Sequence, residues 1–364
     1  MKIGSDFSGV GAFEQALKRL GISYENIFAC DMDKHARQTY IENYGEPKYF
    51  PENVYDRIIP LESLDIYMTS PPCQAFSIAG SRKGEQDDRG VLFYNSHEFI
   101  KVNNPRYFIF ENVRGLMSDD NGKTFQRWID YLAKSVNGQP VIFPHEKSVN
   151  YHIYYKVLNS KDFGVPQNRE RIFIIGIRDD KDNNFRFPKE ELLTKRLKDV
   201  LESEVDEKYY LSEKVVSDLM IDDNKVRSAS KKGYEIAREG DSINFCFANS
   251  ETRRGRIGKG VSQTIETKNT IAVITEPVNA TYRHAFEGFK GYNDLSPTIK
   301  SSEGSGNQIL LNNIRRLTPR ECFRLQDFPD SFTWSCSDNQ AYKQAGNSIT
   351  VGVLERLIKK LIYP

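Results

Sequence analysis

The most informative stretch of the chain is Ser70-Pro71-Pro72-Cys73-Gln74-Ala75-Phe76-Ser77, which follows the apolar run Leu64 to Met68. If that run is a strand, Cys73 falls at its carboxyl end, where open α/β sheets build their sites. Two prolines fix the backbone ahead of the sulfur and remove two amide donors. A lone cysteine is ordinarily a small buried hydrophobe. The rigid Pro-Pro lead-in, and the polar loop beyond it with Gly80, Gly84 and Gly90 among charged residues, point instead to a nucleophile beneath a lid. Glu111-Asn112-Val113 follows a second apolar run, Tyr107 to Phe110. A carboxyl group at that strand end can keep a raised pKa when the site closes and so protonate a ring nitrogen. Gln167-Asn168-Arg169-Glu170-Arg171 carries two guanidinium groups two residues apart, which share a face on extended backbone. Taken singly, each of these acids and bases also suits an ordinary strand-end salt bridge.

A second constellation lies at the start of the chain. Phe7-Ser8-Gly9-Val10-Gly11 places two glycines between a short strand and a helix, where the missing side chains let a ligand approach the backbone at the helix N-terminus. Asp31 ends the next strand, about twenty residues on, where an acid can accept hydrogen bonds from ribose hydroxyls. Together they suit an adenosine-type cofactor, although a tight turn and a surface acid share the same pattern.

The elements that must position these residues follow from periodicity. Phe13, Ala16, Leu17 and Leu20 fall at i, i+3, i+4, i+7, so one helical face is apolar and Gly21 can stop it. Candidate strands are Ile27 to Cys30, Leu64 to Met68, Tyr107 to Phe110 and Arg171 to Ile177, alternating with helical pattern as in an α/β sheet. After Arg178 the sequence becomes charged, then rich in Gly, Ser and Thr with short β-like runs such as Ile271 to Thr275, and a domain boundary is expected there. The final stretch is helical again, with Ile349, Val353, Leu354, Leu357, Ile358 and Leu361 on one face.

A chain of 364 residues, 38% hydrophobic, can bury a large core and divide into two domains. No segment approaches a membrane-spanning length and the N-terminus lacks a signal-peptide pattern, so a cytoplasmic protein is expected. The five cysteines include no CxxC pair, which argues against a disulfide framework or a metal site. The net charge of +1 conceals an asymmetry. From Asp179 to Asp223 eight Lys/Arg face fourteen Asp/Glu, a net of −6; from Lys225 to Arg320 sixteen face nine, a net of +7. A basic segment inside a neutral chain suits a polyanion-binding face, and scattered solvated charge has the same composition.

In this order, the segments resemble the DNA (cytosine-5)-methyltransferase family. The motifs cover roughly residues 1 to 178 and 313 to 364. Pro-Cys-Gln at 72–74, Glu-Asn-Val at 111–113 and Gln-x-Arg-x-Arg at 167–171 occur together. Arg316-Leu317-Thr318-Pro319-Arg320-Glu321, Leu325-Gln326-Asp327-Phe328-Pro329 and Gln344-Ala345-Gly346-Asn347-Ser348 complete the set. The resemblance implies an α/β, Rossmann-like S-adenosylmethionine-dependent domain with a smaller, mainly β or irregular target-recognition domain. Residues 1–178 would begin the catalytic domain, 179–312 would form the linker and recognition domain, and 313–364 would return to the catalytic domain.

Carried onto this sequence, the resemblance puts Phe7, Gly9 and Gly11 in the lining of an S-adenosylmethionine pocket. Asp31 falls on the ribose, Met32 against the adenine, and Pro72, Leu92, Asn347 and Ser348 complete the pocket. Asn53 stands where the family usually has an Asp that contacts the adenine amino group, and Ser5 where many members have Asp, with Asp6 displaced by one. Cys73 would add to carbon 6 of a flipped-out cytosine, Glu111 would engage nitrogen 3, and Arg171, supported by Arg169, would hold oxygen 2. Gln74, Ser77 and Arg89 would meet the target strand, and Arg253, Arg254 and Arg256 are the first candidates for DNA contact in the recognition domain. The expected partners are double-stranded DNA and a cognate restriction endonuclease of a bacterial or phage system. A monomer without a metal is expected. An RNA (tRNA) cytosine-5 methyltransferase shares the motifs, but the long basic insert favours a duplex-DNA reader. A non-catalytic DNA-binding module is disfavoured by intact Cys73, Glu111 and Arg171. A cysteine hydrolase is disfavoured because none of the five histidines lies in a segment resembling a partner motif.

Overall fold

The apolar runs of the first half pair into one sheet. In the computed structural model, residues 1–72, 92–181, 184–222, 224–275, 281–284, 288–291 and 314–363 are described. Cys73, Gln74, Ser77, Arg89 and the glycine-bearing loop around them lie outside the described residues. In chain order the first half contains β1 (Lys2–Asp6), α1 (Ala12–Arg19), β2 (Glu25–Cys30), α2 (Lys34–Tyr44), β3 (Ile66–Thr69), α3 (Leu92–Asn103) and β4 (Tyr107–Val113). It continues through α4 (Lys123–Leu132), β5 (Ala133–Val136), β6 (Gln139–Pro140), β7 (Tyr151–Asn159), β8 (Gln167–Asn168) and β9 (Glu170–Arg178). Eight of these strands form a sheet of order β2-β1-β3-β4-β9-β7-β5-β6. From β2 to β4 the pairing is parallel. β9 then runs antiparallel to both β4 and β7.

Period-two alternation sends successive side chains to opposite faces. Ile109, Ile175 and Ile177 join a core cluster with α1 and the C-terminal helices, whereas Phe108, Phe110, Ile172 and Ile174 pack on α3 and α4 with Trp128. Both faces are covered, as parallel strands require.

The second half holds α5 (Glu213–Leu219), β10 (Met220–Asp222), β11 (Lys225–Arg227), β12 (Tyr234–Ile236), β13 (Ser242–Asn244), β14 (Ile257–Gly258), β15 (Ser262–Gln263) and β16 (Ile271–Ile274). A hairpin of β17 (Thr281–His284) and β18 (Gly288–Gly291) follows. The chain ends with β19 (Ile314–Arg316), α6 (Pro319–Leu325), α7 (Asp338–Asn347) and α8 (Val351–Ile362). Strands β10 to β12 form a three-stranded sheet, and β14-β13-β16-β19 a four-stranded one. Leu211, Leu219, Val226, Ile243, Ala272, Ile274 and Ile314 make a small separate core beneath them.

Two details concern the segments next to the expected boundaries at 178 and 313. Phe185, Leu197 and Val200 belong to the core cluster of the large sheet, so the segment expected to begin the linker packs there past Arg178. Ile314–Arg316 is still paired with β16, so the return begins with α6. That helix is started by Thr318, whose side chain caps the Glu321 N–H while Glu321 accepts the Thr318 N–H. Glu321 also receives both terminal nitrogens of buried Arg315 at 2.8 and 2.7 Å. None of the described helices is long and apolar enough to cross a membrane.

Candidate active site

The chain runs from β1 outward to β2 and then back across β1 to β3, so strand order reverses between β1 and β3. Such a switch point leaves a crevice at the carboxyl ends of the strands. The crevice here is lined by residues including Ser5, Phe7, Gly9, Met68, Ser70, Asn347 and Ser348. The C-terminal return reaches it because α8 buries Val353, Leu354, Leu357, Ile358 and Leu361 in the same core cluster as Phe13, Ala16 and Leu17 of α1. Gly9 adopts a φ of 56°, and a side chain added there would meet nothing within 4 Å, so its backbone opens onto free space. Its N–H donates to Asp31 Oδ2 at 2.8 Å, and the Asp33 N–H to Oδ1 at 2.8 Å. A carboxylate has about four acceptor sites, so Asp31 shapes the turn and still has lone pairs for ribose hydroxyls. Burial raises its pKa, and the two N–H donors oppose that rise.

The floor of the crevice also carries polar groups. Ser5 Oγ is buried without a hydrogen-bond partner, a donor and acceptor awaiting a polar group. Asp6 does not take that position. Its carboxylate accepts Arg57 Nε at 2.8 Å and the Tyr67 hydroxyl at 2.6 Å, all three buried. Arg57 carries no sequence signal, because its partner lies 51 residues away. Met32 is 84% exposed beside Asp31, and Asn53 is exposed with its Oδ1 accepting the Tyr55 N–H at 3.0 Å. Gly11 differs from expectation. It is not among the lining residues, and at a φ of 83° an added Cβ would stand 2.3 Å from the Tyr44 ring, so its lack of a side chain serves the packing of α2. Leu92 opens α3 and is buried in the second core cluster.

Of the catalytic candidates, Glu111, Arg171 and Arg169 are described, on β4, on β9 and in the turn between β8 and β9. β3 and β4 pair in parallel with Thr69 opposite Phe110, so the ends leading to Pro71-Pro72 and Glu111-Asn112 lie level. Asn112 Nδ2 donates to the Pro71 carbonyl at 3.3 Å, tying the two ends together. β4 continues through Val113, so Glu111 lies within the strand and not beyond it. On antiparallel β9 Arg171 stands opposite Val113, the next residue on the same face as Glu111, and its Nε lies 3.1 Å from Glu111 Oε1. Both groups are largely buried. Burial pushes the Glu111 carboxyl above its ordinary value, and the charges of Arg171 and Arg169 pull against it.

Arg169 is buried, and its Nη atoms donate to three carbonyls: Ile265 at 3.2 Å, Gly346 at 3.0 Å and Ser348 at 2.8 Å. It therefore acts on Glu111 through its charge while bracing the junction of three chain segments. Gly346 permits that junction, since an added Cβ would lie 2.5–2.7 Å from the Glu266–Thr267 backbone.

Of the arginines expected on DNA, Arg256 is corrected: it is fully buried, its guanidinium bound to the carbonyls of Asn244, Cys246, Phe247 and Ala248. Arg254 is exposed, and its Nε donates to the Ala229 carbonyl at 2.8 Å. Arg253 is half-buried. With Arg227, Ser228, Ser230 and Thr252, Arg254 lines an open cleft of about 530 Å³ on the small domain.

The family described as C-5 cytosine-specific DNA methylase matches residues 1–363. The orphan methyltransferase M.SPRI of Bacillus phage SPR is 32% identical over 446 aligned positions, covering 100% of this chain and 98% of the relative. The type II methyltransferase M.SsoII of Shigella sonnei is 33% identical, over 98% of this chain and 78% of the relative. Among solved structures, a Spodoptera frugiperda DNMT2 variant superposes with a TM-score of 0.63 at 20% identity, covering 99% of each chain. Dnmt2 of S. pombe does so with a TM-score of 0.60 at 19% identity, covering 100% of this chain and 99% of that one. These two likenesses concern the fold, a mixed α/β sheet shared with methyltransferases. With residues 1–363 matched by the family and a relative 32% identical over 100% of its length, the chain belongs to the C-5 cytosine-specific DNA methylase family.

Proposed function

We propose that the protein methylates carbon 5 of a cytosine within a specific sequence of double-stranded DNA, with Cys73 as nucleophile and the target base rotated out of the helix. The observation that carries this reading is the buried Glu111–Arg171 pair, held level with the Pro71-Pro72 lead-in to Cys73 at the mouth of the β1/β3 crevice. Carbon 5 of cytosine is a weak nucleophile. A thiolate that adds to carbon 6 forms a C–S bond and pushes electron density toward carbon 5. Glu111 supplies a proton or hydrogen bond to nitrogen 3, a role suited to a carboxyl whose pKa burial has raised. Arg171 stabilises negative charge developing at oxygen 2. S-adenosylmethionine, which the family uses as methyl donor, supplies an electrophilic methyl group when bound. Gly9, Asp31, Ser5, Asn347 and Ser348 would hold it, with Phe7, Met32, Asn53 and Pro72 around them. Loss of the carbon 5 proton then lets the C–S bond break and frees Cys73.

Three of the other described thiols are poor rivals: burial pushes Cys30 up to about 12 and raises Cys322 and Cys336 as well. Because a base inside a duplex exposes neither face of carbon 6, base flipping is part of the proposal. Gln74, Ser77 and Arg89 would meet the target strand, with Arg253 and Arg254 on the flanking duplex. The type II relatives suggest a restriction endonuclease as a functional partner. The test is to express the protein with a plasmid and map 5-methylcytosine by bisulfite sequencing. Methylation at one short motif is expected. Unmethylated plasmid, with labelled methyl groups appearing in RNA, would contradict the DNA assignment.

A further inference from the structure

Nine described non-glycine residues have positive φ, and seven of them are Asn or Asp, the types that tolerate this conformation. The other two are Phe7, at the crevice, and Phe247, with a φ of 50°. A bulky side chain in the left-handed region persists only where surrounding structure imposes it, and such residues cluster at functional sites. Around Phe247 the imposing structure is Arg256. Its Nη1 donates to the carbonyls of Asn244 and Cys246 at 3.0 and 3.1 Å, and its Nη2 to those of Phe247 and Ala248 at 2.7 and 3.4 Å. A fully buried guanidinium thus fixes the turn between β13 and β14. Phe247 is nevertheless 72% exposed. Asn or Gly would satisfy the backbone there without strain, and a ring in water contributes nothing to the core.

The turn is also joined to the catalytic strand. Gln263 Nε2 donates to the Arg256 carbonyl at 2.6 Å, and β15, which contains Gln263, pairs in parallel with β8 at Gln167 and Asn168, immediately before Arg169. Beside the turn lies the cleft lined by Arg227, Ser228, Ser230, Glu251, Thr252 and Arg254, whose two guanidinium groups and three hydroxyls, against one carboxylate, suit a phosphate backbone.

We propose that Phe247 is a base-contacting residue of the small domain, its ring stacking on or wedging against a nucleobase of the bound duplex while the Arg256 clamp holds it out from the turn. This rests on the DNA reading above. A rigid aromatic beside arginines is the arrangement by which proteins gain base stacking together with phosphate contact.

The test compares Phe247→Asn and Phe247→Trp with the wild-type protein, using a short duplex that carries the motif located by 5-methylcytosine mapping. Phe247→Asn relieves the backbone, so its Tm should equal or exceed that of wild type. Its Kd and KM for the duplex should rise on the order of tenfold, with kcat at saturating DNA unchanged. Phe247→Trp should bind as wild type does. An Asn variant with wild-type Kd and KM would overturn the proposal, as would a fall in Tm, which would make Phe247 a packing residue. If wild-type protein leaves DNA unmethylated, the DNA reading itself fails; if wild type methylates and Phe247→Asn binds equally well, only the role of Phe247 fails.

Discussion

Glu111 shows how much one carboxyl group depends on its surroundings. Burial raises its pKa, and Arg171 at 3.1 Å limits the rise. As a proton donor it is competent below that raised pKa, so its contribution to turnover should be lost as pH rises through it. Glu111→Gln stays neutral at every pH and cannot transfer a proton. We expect kcat to fall by about 10²–10⁴ and the alkaline loss assigned to Glu111 to vanish from the kcat–pH profile. A variant that kept the wild-type profile would remove Glu111 from the mechanism. The location of Glu111 near a strand end was legible from the apolar run before it. Its partner was not, because 60 residues separate Glu111 from Arg171 and only the antiparallel pairing of β4 with β9 brings them together. The same holds for Arg57 and Asp6, and for Ser5, whose orphaned hydroxyl becomes informative only once its burial is known.

At the scale of elements, long periodic segments were readable and short ones were not. The apolar stripe of α8 and the Phe13–Leu17 face of α1 follow from helical spacing, and these faces lie in one core. β7 has no clean alternation, since Tyr151, Ile153 and Tyr154 are buried together, and its antiparallel place in the sheet has no local signature. Strands of two to four residues in the small domain are too short to establish a period.

α1 also contains a polar group in the interior: Glu14 is buried, and burial pushes its carboxyl from 4.5 up to about 7 against a weaker pull from the Tyr40 hydroxyl. The folded chain then holds a proton that the unfolded chain releases, so stability declines between pH 4.5 and about 7 and levels off above. Glu14→Gln should remove this decline. It should raise stability by up to about 3 kcal/mol at pH 8 while changing little at pH 4, as read by denaturant titration at the two pH values. An equal effect at both would mean that Glu14 does not titrate in this window.

For the whole molecule, the division of labour between arginines separates architecture from binding. Composition marked the region from Lys225 to Arg320 as basic, but it does not distinguish a guanidinium that caps carbonyls from one that faces solvent. Arg256 and Arg169 are buried struts, one within the small domain and the other where β8, the 265–267 segment and the C-terminal return converge. Arg254 borders the open cleft. Arg256→Leu would strand the carbonyls it caps and should lower stability on the order of 3 kcal/mol. Arg254→Gln should leave stability nearly unchanged and reduce the slope of log Kd against log salt by about 0.9, the effect of one lost phosphate contact. Equal salt slopes for Arg254→Gln and wild type would remove Arg254 from the DNA interface.

The catalytic assignment brings all three scales together. It needs a strand end to present Cys73, Glu111 and Arg171 to receive the base, and the small domain to hold the duplex. Its most direct test is a duplex with 5-fluorocytosine at the methylated position, incubated with the protein and S-adenosylmethionine. Fluorine at carbon 5 blocks the final elimination, so a covalent complex should accumulate. Digestion and mass spectrometry should place the nucleotide on the peptide carrying Cys73, and Cys73→Ser should form no complex and lose methylation on the order of 10³-fold or more. A cross-link on another residue, or methylation that survives in Cys73→Ser, would contradict the account.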